Sequence, residues 1–192
     1  MESIYLIRHA RAGGQEPYAS LTDEGYRQAE KLADMLSSRG ISYIVSSPWK
    51  RAVQTAVPLG AAVKQHVHID ERLQERVLST RDLPDWMDAL KRTYDDEDWT
   101  AEGGESSRTA AARGLELLEE CWSRPEPNGA VVTHGNLLSL IIRHYNPSFG
   151  YTEWAKLSNP DVYVLRREQA SSDEGITKEA EHKVSMTRLW PD

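Results

Sequence analysis

The amino-acid sequence predicts an α/β fold, a three-layer α/β/α sandwich built on a mixed and mostly parallel sheet. Short apolar runs alternate along the chain with longer segments in which apolar residues recur at helical spacing. Two of these runs, at residues 4–7 and 130–133, are apolar almost throughout, as is typical of strands buried on both faces of a parallel sheet. Strands that alternate with helices in this way place helices on both sides of the sheet.

The elements predicted in the first half of the chain follow from apolar periodicity and helix-capping residues. Thr22 can cap a helix, and the apolar residues after it repeat at helical spacing until Gly40 ends the pattern. Ser47 can cap a second helix, for which Pro48 suits the first helical position. The predicted order is a strand at 4–7, a helix at 22–40, a strand at 43–45, a helix at 47–60 and a short strand at 67–69.

The second half begins with a predicted insertion, whose polar and acidic composition indicates irregular or helical structure. We expect the helix that follows it to turn Ala111, Leu115, Leu118 and Trp122 inward and to leave Cys121 half-buried. The charged, serine-rich residues near the end predict a mobile loop. The predicted order is the insertion at 71–104, a helix at 106–122, a strand at 130–133, a helix at 135–145, a strand at 162–165, the loop at 168–182 and a strand at 184–189.

Length, charge and cysteine content exclude several classes of protein. The 192 residues fit one domain spanning residues 1–192, with the 71–104 insertion as a cap over its site. A net charge of -7 argues against binding nucleic acid or an anionic membrane. The single cysteine permits no intrachain disulfide, and neither a signal peptide nor an apolar run of about 18 residues is evident. We therefore expect a cytoplasmic protein, and its oligomeric state stays open.

Polar and reactive side chains follow three of the predicted strands, at the point where each strand ends. These tips are residues 8–9, residues 46–48, which lead into a helix bearing Arg51, and residues 134–135. The carboxyl ends of parallel strands meet at one edge of a sheet, where sites form. The three tips would bring together two imidazoles and two guanidiniums without a carboxylate of their own. We expect a pocket built for an anion.

Phosphate is the anion that fits these groups best. Arginine offers phosphate oxygens a planar fork of donors, and the helix N-termini at Ser47 and Gly135 would add backbone donors. Phosphoryl transfer needs mainly positioning and charge stabilisation, and a neutral imidazole is a capable nucleophile. Flanking arginines are expected to lower the pKa of His9 and keep its ring unprotonated.

The opening segment, residues 6–10 with the sequence Leu-Ile-Arg-His-Ala, resembles the first motif of the histidine phosphatase superfamily, the phosphoglycerate mutase-like proteins. One motif would be a weak signal, but five further motifs in the right order make it a strong one. The further segments that resemble motifs of that family are residues 21–29, residues 46–56, Leu73 with Glu75, residues 104–106 and residues 132–135.

The resemblance implies a role for each matched residue. His9 would be the nucleophile, Arg8 and Arg51 phosphate clamps, and His134 a further phosphate contact that steadies the transferring group. Glu75 would be the general acid, with Glu71 as the alternative one helical turn earlier.

The same resemblance sets the expected activity. Gln15 falls about where the family often places an asparagine that contacts phosphate. The implied enzyme is a phosphatase of the histidine acid type that hydrolyses small phosphomonoesters without a metal ion or organic cofactor.

One departure from the family pattern leaves the substrate class open. Ala10 stands where the opening motif commonly has glycine, which resembles the branch containing bacterial phosphohistidine phosphatases. The alternatives are therefore a phosphohistidine protein phosphatase, a phosphoglycerate mutase, or a catalytically inactive binding protein. Trp86, Tyr94 and Trp99 either fill the core of the 71–104 insertion or line the substrate pocket.

Overall fold

The computed structural model describes residues 1–168 and 183–190, which form a six-stranded sheet flanked by helices. The strands are β1 (Ser3–Arg8), β2 (Ile41–Ser46), β3 (Val67–Ile69), β4 (Asn128–Thr133), β5 (Asp161–Arg167) and β6 (Val184–Arg188). The helices are α1 (Asp23–Ser37), α2 (Lys50–Val63), α3 (Trp86–Asp95), α4 (Ser107–Trp122), α5 (Gly135–Tyr145) and α6 (Tyr151–Trp154). The predicted α/β fold class is confirmed.

The sheet has the spatial order β3-β2-β4-β1-β5-β6 and is mixed, as predicted. Strands β1 to β4 run parallel to one another, whereas β5 is antiparallel to β1 and β6 is antiparallel to β5. The parallel strands β2, β4 and β1 lie side by side, so their carboxyl ends share one edge of the sheet. That edge is where the predicted site residues meet.

Two cores lie on opposite faces of the sheet and make the three layers. Ile4 and Leu6 of β1 pack into the core that includes α4 and α5, and Tyr5 and Ile7 pack into the core that includes α1 and α2. Alternate residues of a strand point to opposite faces, so a strand covered on both sides must be apolar throughout. The continuous apolar run at residues 4–7 is the sequence signature of this burial.

Helix α2 begins later than predicted, and Ser47 does not cap it. The first helical residue is Lys50, and Trp49 is the extended residue before it, with φ -66° and ψ 134°. Pro48 disfavours the helical conformation for the residue before it, so Ser47 stays outside the helix. The Ser47 hydroxyl instead accepts the Trp49 N–H at 3.3 Å and contacts His134. The cap prediction was wrong because the hydroxyl belongs to the site.

The inward face of α4 is centred one residue away from the predicted stripe. Ala111 and Leu115 are only half-buried, although Leu118 and Trp122 are buried as expected. Gly114 lies on the inner face because a Cβ there would meet the Ile141 side chain of α5 at 2.9 Å. The close approach of α4 to α5 rotates the buried face toward Ala110, Gly114, Leu117 and Cys121. Cys121 is thus fully buried, and burial raises its pKa to about 11.

The segment after β3 contains both kinds of structure that its composition predicts. A single 3-10 turn at Glu71–Leu73 leads into irregular chain, and α3 follows. The predicted loop at 168–182 lies outside the described residues from 169 onward. Within the part of the chain that the structure describes, no helix is long and apolar enough to cross a bilayer.

Candidate active site

The sheet register brings the three predicted strand tips together. The backbone N–H of His9 donates to the carbonyl oxygen of Thr133 at 2.9 Å, and that of Ser47 donates to Val132 at 2.9 Å. These bonds continue the parallel ladders beyond the ends of β1 and β2. The rings of His9 and His134 consequently lie edge to face, with their centroids 5.1 Å apart.

Both ring nitrogens of His9 are held by partners that fix its tautomer. Nδ1 lies 2.7 Å from the carbonyl oxygen of Ala10, which can only accept, so Nδ1 carries the hydrogen. Nε of Arg51 donates to Nε2 across 3.0 Å, so Nε2 presents its lone pair. The pKa of His9 is lowered to about 3, chiefly by burial; the Ala10 bond opposes this shift, and Arg51 and Arg8 add to it. The ring is neutral, as expected, although burial outweighs the arginines as the cause.

Arg51 is almost completely buried, with 1% of its surface exposed. Its Nη1 donates to the carbonyl oxygens of Gln15 and Glu16 at 3.0 and 2.9 Å, and its guanidinium lies 4.6 Å from the Trp49 ring centroid. Gln15 thus contacts Arg51 through its backbone carbonyl group. The residue is exposed, and it lines the cleft beside the site. The loop after β1 and the start of α2 fix the guanidinium from opposite sides.

Arg8 is anchored at one end of its guanidinium. Nη1 donates to the carbonyl oxygens of Leu157 and Ser158 at 2.9 and 3.3 Å. A Cβ on Gly135 would lie 2.9 Å from Nε of Arg8, so a side chain there would push the guanidinium away. Glycine at position 135 therefore lets Arg8 lie against the start of α5. Nε of Arg8 has no hydrogen-bond partner among residues 1–168 and 183–190.

His134 is fully buried between Ser47 and Trp49. Its Nε2 lies 2.8 Å from the Ser47 hydroxyl, and its Nδ1 has no hydrogen-bond partner within the described chain. Burial lowers the pKa of His134 well below the usual value, and the neighbouring His9 and Arg51 lower it further. The site therefore contains two neutral imidazoles beside two guanidiniums.

Glu75 brings a carboxylate to the site from the segment after β3. Its two oxygens accept the backbone N–H groups of Asn136 and Leu137, each at 3.0 Å, and that of Arg76 at 2.9 Å. A negative charge is favourable at a helix N-terminus, and Glu75 holds the first turn of α5 in this way. Glu75 thus occupies the amides of Asn136 and Leu137, whereas the Gly135 donor expected at the phosphate is not among them and stays a prediction.

The alternative acid, Glu71, is exposed and contacts Gln74. Glu75 in contrast lines the same cleft as Arg8 and Gly135. It also exerts a favourable electrostatic effect on Arg8 and Arg51. Of the two candidate acids, Glu75 is the one that the fold brings to the imidazoles and guanidiniums.

A clamp behind Glu75 was not predicted from the sequence. Arg113 on α4 binds both carboxylate oxygens of Glu105, at 2.8 and 2.9 Å. Its Nη1 also donates to the backbone carbonyls of Arg72 and Gln74, the residue before Glu75. Glu105 belongs to the matched segment at residues 104–106. The spacing of Arg113, about two helical turns after Glu105, was the sequence signal that could have predicted this ion pair.

A cleft of about 570 Å³ opens beside these residues. Trp86 lines it, while Tyr94 is buried, with its hydroxyl 2.5 Å from that of Ser139. Trp99 lies under the Arg92 guanidinium and lines a separate hollow. Of the three aromatic residues left open by the sequence, Trp86 therefore borders the cleft. In the described residues, no group of three or more His, Cys, Asp or Glu side chains could hold a metal ion.

The fold and the site define an α/β protein with a cationic, two-imidazole pocket at the carboxyl edge of parallel strands, an arrangement suited to a phosphoryl group. A family model of the histidine phosphatase superfamily (branch 1) matches residues 4–173. The chain belongs to this superfamily, as its motifs predict.

Relatives with assigned names are similar to most of the chain. A glucosyl-3-phosphoglycerate phosphatase of Mycolicibacterium vanbaalenii is 34% identical over 141 residues, which cover 63% of this chain and 60% of that protein. A probable phosphoglycerate mutase of Proteus mirabilis is 32% identical, with 74% of each chain covered. A solved structure of mycobacterial glucosyl-3-phosphoglycerate phosphatase superimposes with a TM-score of 0.70 at 26% identity, over 86% of this chain and 90% of that one. The chain thus spans less than two thirds of the first relative.

Proposed function

We propose that this protein is a phosphatase that hydrolyses phosphomonoesters through a phosphohistidine intermediate on His9. The observation that supports this most is the orientation of His9, whose Nε2 lone pair faces Arg51 while Nδ1 is fixed by Ala10. A neutral, oriented imidazole beside two guanidiniums is equipped to attack a bound phosphoryl group. Membership of the superfamily and the phosphatase names of several relatives support the same activity.

The first step transfers the phosphoryl group to the enzyme. Nε2 of His9 attacks phosphorus and the bond between phosphorus and the ester oxygen breaks. Glu75 enters this step protonated, gives its proton to the departing oxygen and is left as the carboxylate. Arg8 and Arg51 bind the phosphoryl oxygens. The Nε donor of Arg51 leaves Nε2 of His9 and donates to the substrate instead. His134 donates from Nδ1, because the Ser47 hydroxyl can donate to Nε2 and so place the ring hydrogen on Nδ1.

The second step returns the enzyme to its starting state. Water attacks phosphorus, Glu75 accepts the water proton, and the bond between phosphorus and Nε2 breaks with its electron pair returning to His9. Inorganic phosphate then leaves. The scheme draws its positive charge from the two arginines, while the neutral imidazoles act as nucleophile and hydrogen-bond donor. We extend the proposal to an enzyme of the histidine acid type that needs no metal ion or organic cofactor.

The proposal includes the organisation of the chain. Residues 1–192 form one domain, and the insertion at 71–104 caps the site, since its residues Glu75 and Trp86 line the cleft. The substrate is a small phosphorylated molecule, neither nucleic acid nor membrane is a partner, and the protein works in the cytoplasm.

A phosphoglycerate mutase is the second candidate, and the similarity to the probable mutase of Proteus mirabilis favours it. A mutase would pass the phosphoryl group from His9 to a second hydroxyl rather than to water. Its activity would depend on a bisphosphorylated primer, whereas hydrolysis would proceed without one.

Rapid quenching after mixing with labelled substrate tests the intermediate. Phosphate should be trapped on His9, in a bond that acid cleaves and alkali does not, and His9→Asn should trap none. His144 on the same protein is exposed, so His144→Asn is the matched control and should behave like the wild type. Label on a serine or aspartate would contradict the proposal.

A further inference from the structure

The cleft continues beyond the proposed phosphate end and determines what the ester can carry. Arg8, Glu75 and Gly135, which belong to the proposed phosphate site, line it, and we call the part beside them the inner end. We call the rest the outer cleft; its lining residues come from the α3 region, α6 and their neighbours, and are Leu78, Trp86, Leu90 and Trp154 together with Arg76 and Asn136. The alcohol portion of any ester bound at the inner end must pass along this outer part. The proposed function thus assigns the outer cleft to the leaving alcohol.

The walls of the outer cleft are apolar and partly open to solvent. Trp86 is 48% exposed and Met87, its neighbour on α3, is 43% exposed. On the opposite wall, the Trp154 ring packs against Tyr151 with centroids 5.4 Å apart. Tyr151 reaches back to α3 through a contact of its hydroxyl with the Met87 sulfur. Large apolar side chains left exposed around a cleft mark a surface that a ligand covers.

The one cation of the outer wall is buried and partly engaged. Among the lining residues that the structure describes, Arg76 supplies the charge there, and it is only 5% exposed. Its Nε donates to the Glu105 carbonyl at 2.8 Å and its Nη1 to the Thr93 hydroxyl at 2.7 Å, so the side chain ties the cleft wall to α3. Its Nη2 has no hydrogen-bond partner among the described residues, but that atom is buried and does not open onto the cleft. A second phosphate or a carboxylate on the substrate would meet tryptophan and leucine side chains there.

We propose, on the basis of the function above, that the preferred substrates are phosphomonoesters whose alcohol carries an apolar, ring-sized body that packs between Trp86 and Trp154. The inner cleft supplies affinity for the phosphoryl group, and the outer cleft supplies selectivity through burial of apolar surface. Aryl-bearing alkyl phosphates fit both ends, whereas phosphoglycerates and bisphosphates place charge against the apolar walls.

Two esters of similar leaving-group chemistry test the proposal. Ethyl phosphate and 2-phenylethyl phosphate both release an alkoxide, and they differ in the ring that would occupy the outer cleft. We expect kcat/KM to be about 50-fold higher for 2-phenylethyl phosphate, the effect of removing roughly 100 Å² of ring surface from water. Equal values, or higher values for 3-phosphoglycerate or glucose 6-phosphate, would overturn the proposal.

Tryptophan variants locate the effect. Trp86→Ala should lower the ratio of kcat/KM for 2-phenylethyl phosphate to that for ethyl phosphate by about tenfold, while Trp86→Phe should restore most of that ratio. Trp99→Ala is the matched control, because Trp99 lines a different hollow beside the same helix. A Trp86→Ala variant with the full preference would exclude this wall as the selective surface.

Binding of non-hydrolysable phosphonates separates this proposal from the catalytic one. Calorimetry should show 2-phenylethylphosphonate binding about 50-fold more tightly than ethylphosphonate, and Trp86→Ala should reduce the difference. This preference is measurable even if His9 is not the nucleophile, and the phosphate trapped on His9 is measurable even if the preference is absent. Phosphonates that bind equally would overturn the proposal whatever the outcome at His9.

Discussion

Nε of Arg51 donates to Nε2 of His9 across 3.0 Å, so the proposed nucleophilic atom accepts a hydrogen bond from a residue proposed to bind its target. The bond aligns the imidazole and its lone pair with the position of the arginine donor. A phosphoryl oxygen offers Arg51 a stronger, charge-assisted partner than a neutral ring nitrogen does. Substrate binding should therefore draw the donor away from His9 and free Nε2 for attack.

Arg51→Lys tests this relationship. Lysine keeps the positive charge but has no planar fork, so it cannot reach His9 and the carbonyl groups of Gln15 and Glu16 together. We expect kcat to fall by about 100-fold, the usual cost of losing a donor that stabilises transferring charge. The measurement is steady-state kinetics with one alkyl phosphate.

The control for this substitution is Arg108→Lys. Arg108 is exposed on α4, and its ion pair with Asp98 lies at the surface. That variant should match the wild type, and a small effect of Arg51→Lys would show that charge alone, rather than the fork, is needed.

The two buried imidazoles predict a loss of stability in acid. The pKa of His9 is lowered to about 3 and that of His134 also lies well below the usual value. Below the unfolded pKa of about 6.5, the unfolded chain binds protons that the native state excludes, so stability falls as the pH drops from there toward the native values. Each imidazole contributes a slope of up to about 1.4 kcal/mol per pH unit within that window.

Urea unfolding between about pH 5 and about pH 7 measures the slope. His9→Asn should reduce it by up to about 1.4 kcal/mol per pH unit at the acid end of this range, because asparagine does not titrate. His144→Asn is the exposed control and should leave the slope unchanged. An unaltered slope in His9→Asn would mean that His9 is protonated in the native state.

The sequence predicted the parts of the site that depend on strand order. His9 and His134 follow β1 and β4, which are neighbours with Arg8 opposite Thr133, so residues at the two tips must be close. Apolar runs locate such strands, and the ends of the runs locate the residues. The α/β fold and the superfamily were predicted for the same reason, because they follow from local periodicity and motif order.

Contacts that join distant segments were not predictable in the same way. The carboxylate of Glu75 binds amides of α5, and Arg113 binds carbonyl groups just before Glu75, so each depends on how helices pack on the sheet. No local pattern states which partner a buried carboxylate or guanidinium will find. The Ser47 hydroxyl illustrates the same point. Local sequence predicted that it would cap α2, but it contacts His134 at the end of a neighbouring strand instead.

Arg113 should act on catalysis by positioning Glu75. Arg113→Leu removes the bonds to Glu105 and to the Gln74 carbonyl, and so loosens the backbone that presents Glu75. We expect kcat for alkyl phosphates to fall by about tenfold, a part of the usual acid-base contribution, with KM little changed. A merely structural role would instead lower thermal stability without separating kcat from KM.

Arg113→Lys and Arg108→Leu complete this experiment. Lysine can reach one of the two carbonyl groups and should recover part of kcat, whereas Arg108→Leu changes an exposed arginine of the same helix and should leave kcat intact. Equal losses of kcat in Arg113→Leu, Arg113→Lys and Arg108→Leu would show that Arg113 does not position Glu75.

Glu75→Gln is the most discriminating variant, because general acid catalysis matters most when the leaving group is poor. Alkyl phosphates release alkoxides, whose alcohols have a high pKa. Nitrophenyl phosphate releases a stable phenolate. We expect a loss of about 100-fold or more in kcat for alkyl esters, within the usual range for acid-base catalysis. Formation of phosphoenzyme from nitrophenyl phosphate should lose much less.

The comparison must use single-turnover phosphorylation, because Glu75 also serves as the base in the second step of the proposed scheme. Glutamine keeps one oxygen for the α5 amides but turns an amide group toward the other N–H, which costs about 1 kcal/mol of helix capping. A melting curve should therefore show a modest loss of stability, separate from the kinetic effect.

Glu71→Gln, at an exposed position, is the control for the substitution itself. If both esters lose rate equally in the phosphorylation step, Glu75 positions α5 but does not donate the proton. The same measurements on Glu71→Gln would then test the alternative acid, and an absence of leaving-group dependence in that variant too would favour the phosphohistidine protein phosphatase, whose nitrogen leaving group needs a different protonation scheme.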